Sequence, residues 1–199
     1  MRVLPLVVVL FVGALALAAP AFAEQPARTG PSVGFGLGGA SVSWTWPDDE
    51  RRSEWSGAGN ARIAWAFNQE LLIGVEMWTW ASDYEIGSTP EDVPAEATVW
   101  TIALAATYFP GNTGFFLRGG LGVGGGRVDV TPPPANDFPV SGTWSATGIS
   151  VLGAMGYEVG VTGHMAVGGA IHAVYIGVDS GPFDNVFGYG FTAQLDWYW

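Results

Sequence analysis

The sequence predicts an all-β protein, an eight-stranded antiparallel up-and-down transmembrane β-barrel, and three observations predict it. Eight segments alternate bulky apolar residues with small or polar ones at period two, the mark of strands with two unlike faces. The connections between them alternate short and long, as expected when turns lie on one side of a membrane and loops on the other. Of 199 residues, 49% are hydrophobic and 13% charged. Beyond residue 23, however, no apolar run reaches the roughly 20 residues a spanning helix needs.

The elements follow in chain order. Arg2, an apolar run from Val3 to Ala19 and the small-x-small "AFA" at Ala21–Ala23 read as a secretory signal peptide over 1–23. This leaves one barrel domain over 24–199. "SVGFGLGGASVSWTW" (Ser32–Trp46) is the first strand, with Val33, Phe35 and Leu37 on one face. The pair Gly38-Gly39 predicts a bulge, after which Ala40, Val42, Trp44 and Trp46 would take over that face. The second strand carries Ala61, Ile63, Trp65 and Phe67, the third Leu71, Ile73, Val75 and Met77, the fourth Trp100, Ile102, Leu104, Ala106 and Tyr108. Phe115, Leu117, Leu121 and Val123 mark the fifth; Ile149, Val151, Met155 and Tyr157 the sixth; Met165, Val167, Ile171 and Tyr175 the seventh. The eighth is "GFTAQLDWYW", where Phe191, Ala193, Leu195, Trp197 and Trp199 share a face.

Short links "NQE", "PGNTG" and "GVTG" alternate with long ones such as "PDDERRSEWSG", "SDYEIGSTPEDVPA" and "DVTPPPANDFPVSG". A tilted strand crosses a bilayer in about 9–11 residues, and each segment supplies that. The second row is Gly, Ala, Ser and Thr with few charges, too small to be the solvated wall of a water-soluble barrel. The bulky row therefore faces lipid, and the sheet must close so that its backbone groups are satisfied.

Over the whole mature length the sequence resembles the small outer-membrane barrels that include the OmpA transmembrane region, OmpX and OmpW. "YFPGNTGFFLRGGLGVG" (Tyr108–Gly124) is similar to their fourth-to-fifth hairpin. The terminal alternation is similar to the signal read by the barrel assembly machinery, although Trp199 stands where phenylalanine is usual. The resemblance implies the cell outer membrane of a Gram-negative-type bacterium and contact with outer-membrane lipid and lipopolysaccharide; a monomer is expected.

Charge narrows the function further. Without the signal peptide the chain has six arginines, no lysine and eighteen acids, a net charge of −12, which excludes nucleic acid as a partner. With no cysteine, disulfides and a cysteine-linked lipid anchor are excluded too. No cofactor and no metal site are expected. Folding the second hairpin across "NQE" sets Trp65 against Ile73, Ile63 against Val75 and Arg62 against Glu76, the last two inward. Arg118, Glu158 and Asp196 also point inward, so Arg62, Glu76, Arg118, Glu158 and Asp196 form an expected lumen charge network. Trp44, Trp46 and Tyr175 at one rim and Trp197 and Trp199 at the other are the expected membrane-interface aromatics.

Enzymatic chemistry is not expected. His164 falls in a short turn, and His172, read as opposite Leu152, has no nucleophilic serine nearer than Ser150. The acidic loop residues, Asp48–Glu50, Glu91–Glu96, Asp179 and Asp184, are read as solvated. The expected role is structural or interactive, for which the resemblance implies envelope integrity, surface contact or at most a narrow pore. The alternatives are passage of a small hydrophobic ligand or solute past Trp78 and Trp80, and a lipid A-modifying hydrolase.

Overall fold

The computed structural model of the protein describes residues 25–45, 51–86, 93–130, 142–178 and 184–199. The expected signal peptide, Trp46 and the acids at 48–50, 91–92 and 179 lie outside these residues.

Eight strands close into one barrel: β1 (Gly30–Thr45), β2 (Arg51–Ala66), β3 (Leu71–Ile86), β4 (Val93–Tyr108), β5 (Phe115–Val130), β6 (Gly142–Thr162), β7 (Met165–Gly177) and β8 (Asp184–Tyr198). Each pairs antiparallel with the next and β8 pairs with β1, so no edge runs the length of the sheet. The bulky row lies outside: Ile63 is 69% exposed, Leu104 65%, Val75 49% and Leu195 46%. This inversion follows from the solvent. Lipid accepts apolar side chains but no unpaired backbone group.

Turn chemistry fixes the registers at the short-turn end. After β2, Asn68 Oδ1 accepts the backbone N–H groups of Glu70 and Leu71, each at 2.8 Å, while Phe67 N donates to Leu71 O. That turn sets the expected pairs Trp65↔Ile73, Ile63↔Val75 and Arg62↔Glu76. Between β4 and β5, Gly111 and Asn112 take left-handed φ values of 63° and 54°, the conformation for which glycine and asparagine are suited.

Two expectations are corrected. The strands run 13 to 21 residues, longer than a crossing needs, so Arg51–Gly57 and Ser82–Ile86 are strand and not loop. The outward row explains this. It turns polar at Thr79, Thr98, Arg127 and Ser145 while the ladders continue, so the wall stands above the apolar band.

The second correction concerns β1, which has no bulge at its glycines. Its register with β2 is unbroken from Gly30↔Ala66 to Thr45↔Arg51. Gly38 serves close approach instead, since an added Cβ there would lie 1.9 Å from Phe191 O. Without a change of parity, Ala40, Val42 and Trp44 turn into the lumen and are buried.

The interior is layered. Toward the long-loop end it is packed with apolar side chains, chiefly Val42, Trp44, Trp78, Trp80, Val128 and Ile176. A second apolar cluster with Leu72, Phe109, Phe116 and Tyr198 fills the short-turn end. The charged residues of the lumen sit between and beside these clusters.

Candidate functional site

The site is the lumen itself. Arg62 on β2 and Asp196 on β8 both flank Gly34 of β1, which pairs with each of them. Glycine leaves the space above β1 open, and Arg62 Nη2 donates to Asp196 Oδ1 across it. Glu76, directly opposite Arg62 in the ladder, takes different partners. Arg118 Nη1 reaches its carboxylate at 3.0–3.1 Å, and Asn60 Nδ2 donates to Oε1 at 3.1 Å. Arg118 spans β4 to do so, over Ala103 and Ala105, with its Nε donating to Thr107 Oγ1 at 3.0 Å. Its guanidinium also lies 4.9 Å from the Phe116 ring centroid, a favourable cation–π distance.

Glu158 pairs with a residue that the sequence reading missed. Arg28, just before β1, inserts fully buried into the short-turn end. Its Nε and Nη2 donate to Glu158 Oε1 at 3.1 and 2.9 Å. Nη1 donates to Asn112 Oδ1 at 2.9 Å and Nη2 to Thr113 O at 3.0 Å, while the guanidinium sits 3.6 Å over the Phe109 ring. Tyr198 OH completes the Glu158 shell at 2.9 Å.

A charge count is the signal that could have found Arg28. Two inward arginines against three inward acids leave one buried carboxylate without a counter-ion, a costly arrangement. The first arginine of the barrel domain lies close to the mouth. Among the described residues, the buried charges are three arginines and three carboxylates. The belt is neutral.

His172 is buried opposite Ala154, two positions from the Leu152 pairing read from the sequence, because β6 runs on to Thr162 and the chain turns at Gly163-His164, with a one-residue register shift at Gly160/Thr162. Its Nε2 lies 2.8 Å from Thr192 Oγ1 and 3.4 Å from Gln194 Nε2. Ser150 is elsewhere, hydrogen-bonded to Thr101. Among the described residues, no group of three or more His, Cys, Asp or Glu is placed to hold a metal ion.

The aromatics divide. Trp197 (45%) and Trp199 (54%) are exposed side by side, ring centroids 6.3 Å apart. Tyr175 is exposed at the opposite rim and donates to Asn185 Oδ1 at 2.8 Å. Trp44 is not a rim residue. It is 2% exposed inside the lumen, edge-on to Trp80 at 6.0 Å. The unbroken period of β1 puts it there. The outer surface at that level is instead aromatic through the exposed Trp55, Phe187 and Tyr189, with the half-buried Phe191 5.8 Å from Trp55 across β1.

Trp78 and Trp80, expected beside a cavity mouth, are 1% and 0% exposed and fill the bore. Trp80 Nε1 donates to Ala40 O at 3.0 Å. A pocket between Trp44, Val99, Val128 and Val186 measures about 10 Å³, room for about one water molecule.

A family model described as outer membrane protein beta-barrel domain matches residues 8–198. The chain belongs to that family. Within the family's architecture, it is similar to the attachment invasion locus protein Ail of Yersinia pestis, at 14% identity and a TM-score of 0.57, covering 85% of this chain and 99% of that one. It is similar also to Neisserial surface protein A (15%, TM-score 0.54, 84% and 97% covered). OprG of Pseudomonas aeruginosa gives 15%, 0.51, 88% and 99%. Comparison with curated proteins finds no match. At these identities the likeness is one of fold. Family and fold together place this barrel in the outer membrane.

Proposed function

We propose that this outer-membrane barrel is a closed structural and surface-contact protein that neither conducts nor catalyses. The observation that carries the reading is the filled bore: Trp44, Trp78 and Trp80 pack the long-loop end, Leu72, Phe109 and Phe116 pack the short-turn end, and a neutral belt of ion pairs lies between and beside these layers. An ion would have to strip its water against two apolar layers, at a cost that ion pairs in the belt do not offset. The same packing argues against passage of a hydrophobic ligand, for which the space beside Trp44 is far too small. A hydrolase reading lacks an accessible nucleophile, because the hydroxyl beside His172 is that of Thr192 and both residues are only 1% exposed inside the filled bore. What remains functional is the wall: an apolar band for lipid and lipopolysaccharide, and a strand-built rim raised above it.

The test is conductance of the purified barrel in planar lipid bilayers. The expected trace is flat at baseline. Reproducible ohmic steps would overturn the closed reading in favour of a pore.

A further inference from the structure

Among the described residues the raised rim forks where β2 and β3 part, while β6 runs past the end of β7 over Gly142–Gly148 on the support of β5. β2 and β3 pair from Ala66↔Leu72 only as far as Gly57↔Ala81. Both then continue as strands on separate supports. β2 runs on to Arg51 held by β1, and β3 to Ile86 held by β4. At every other seam the pairing runs to within one residue of the end of at least one strand. Above the fork, residues 51–56 and 82–86 therefore present two strand edges that, among the described residues, no strand covers. Unpaired backbone N–H and C=O groups in a row are a template for another strand.

The fork is above the apolar band, since the outward row of β3 passes from Met77 to Thr79, Ala81 and Asp83, and that of β4 from Trp100 to Thr98 and Glu96. Asp83 and Glu96 are direct cross-strand partners and both are exposed. Like charges in that position repel; among the described residues Asp83 has no ion-pair partner, and Glu96 has only the attraction of Arg127, a guanidinium already held by Asp129. Asp129, next in the row opposite Glu96, has Arg127 at 2.7 Å.

We propose that the edge of β3 over residues 82–86 is a docking edge for an extended polypeptide segment with basic side chains. The proposal rests on the surface-contact reading above and names the chemistry of the contact. Main-chain bonds to the edge supply affinity. A lysine or arginine on the added strand, flanking Asp83, relieves the carboxylate pair and supplies selectivity. The exposed Trp55 borders the opposite side of the fork.

The test uses the barrel in lipid nanodiscs with a labelled ten-residue peptide that alternates lysine and valine. Two controls accompany it, one with glutamate for lysine and one of unchanged charge interrupted by prolines. The expected result is binding of the lysine peptide at least tenfold tighter than either control, with slowed amide hydrogen exchange at residues 82–86. Asp83→Lys and Glu96→Lys should each weaken it about tenfold. The chain has no cysteine, so Ser56→Cys with Ser82→Cys, the pair that would extend the ladder, forms a removable clasp. Binding should vanish when the clasp is oxidised and return when it is reduced. Equal binding of the proline-interrupted peptide, binding undiminished by the clasp, or no binding of the lysine peptide would each overturn the docking edge. Bilayer conductance stays flat in all of these cases if the closed reading holds, so the two proposals fail separately.

Discussion

At Gly34 an added Cβ would lie 2.0 Å from Asp196 Oδ1, so this residue's absent side chain holds open the space in which Arg62 and Asp196 meet. Gly34→Val should separate the pair and lower unfolding stability by about 3–5 kcal/mol, the cost of a broken buried ion pair. Urea titration in lipid vesicles measures it. Gly119→Val, on a face where an added Cβ meets nothing within 4 Å, is the matched control and should change little. Removing Asp196 alone (Asp196→Leu) strands Arg62. The double change with Arg62→Met should be less damaging than Asp196→Leu alone, because a buried pair can be replaced by apolar volume more readily than it can be halved.

Outside the membrane-spanning band, Arg127 and Thr143 donate to Asp129 and hold its carboxyl below the usual carboxylate range. A depressed folded value means that whatever stability the contact gives is present above the ordinary carboxylate range and lost as pH falls through the depressed value. An NMR titration should find the Asp129 midpoint low in the wild type and shifted upward in Arg127→Gln.

The segment before β1 acts at the scale of elements. Arg28 and its neighbours reach all three short turns: Arg28 N donates to Gln69 Oε1, its side chain to Asn112 and Thr113, and Ala27 N to Gly163 O. Thr29 Oγ1 donates to Trp199 O and Trp199 N to Pro31 O, fastening the end of β8 as well. One short segment thus ties turns that the β-ladders leave independent. Arg28→Ala removes the counter-ion of Glu158 and should cost about 3–5 kcal/mol. It should also release the segment 25–29 to proteolysis in vesicles that expose the short-turn end. Pairing Arg28→Met with Glu158→Gln should recover stability without restoring the hydrogen bonds to the turns, leaving the segment cleavable.

At the scale of the molecule, the barrel has an interior just wide enough to be filled by side chains, and it fills it in layers that serve each other. The apolar layers exclude water from the ion pairs, and the ion pairs fix which strands face each other across the bore. Trp80→Ala should remove about 3–5 kcal/mol, read as a lowered urea midpoint. It should still leave bilayers non-conducting, because the layer of Leu72, Phe109 and Phe116 is intact. Conductance appearing in Trp80→Ala would show the outer layer to be the sole barrier.

The strands, their order, the hairpin register and the lipid-facing row were legible in the sequence because each follows from local rules: period two, turn chemistry and the one-sided demand of the membrane. The neighbouring pair Arg62 and Glu76 was legible for the same reason, as were the exposed positions of Trp197 and Trp199. What the tertiary structure decided was everything set by contact across the bore or around the ring. Arg62 prefers Asp196 over the residue opposite it because Gly34 opens that route, and Glu158 draws in Arg28 from outside the barrel. Trp44 turns inward because close packing of Gly38 against β8, not a bulge, uses the glycines of β1. Closing a sheet brings together residues more than a hundred positions apart, and no periodicity along the chain records which of them will touch.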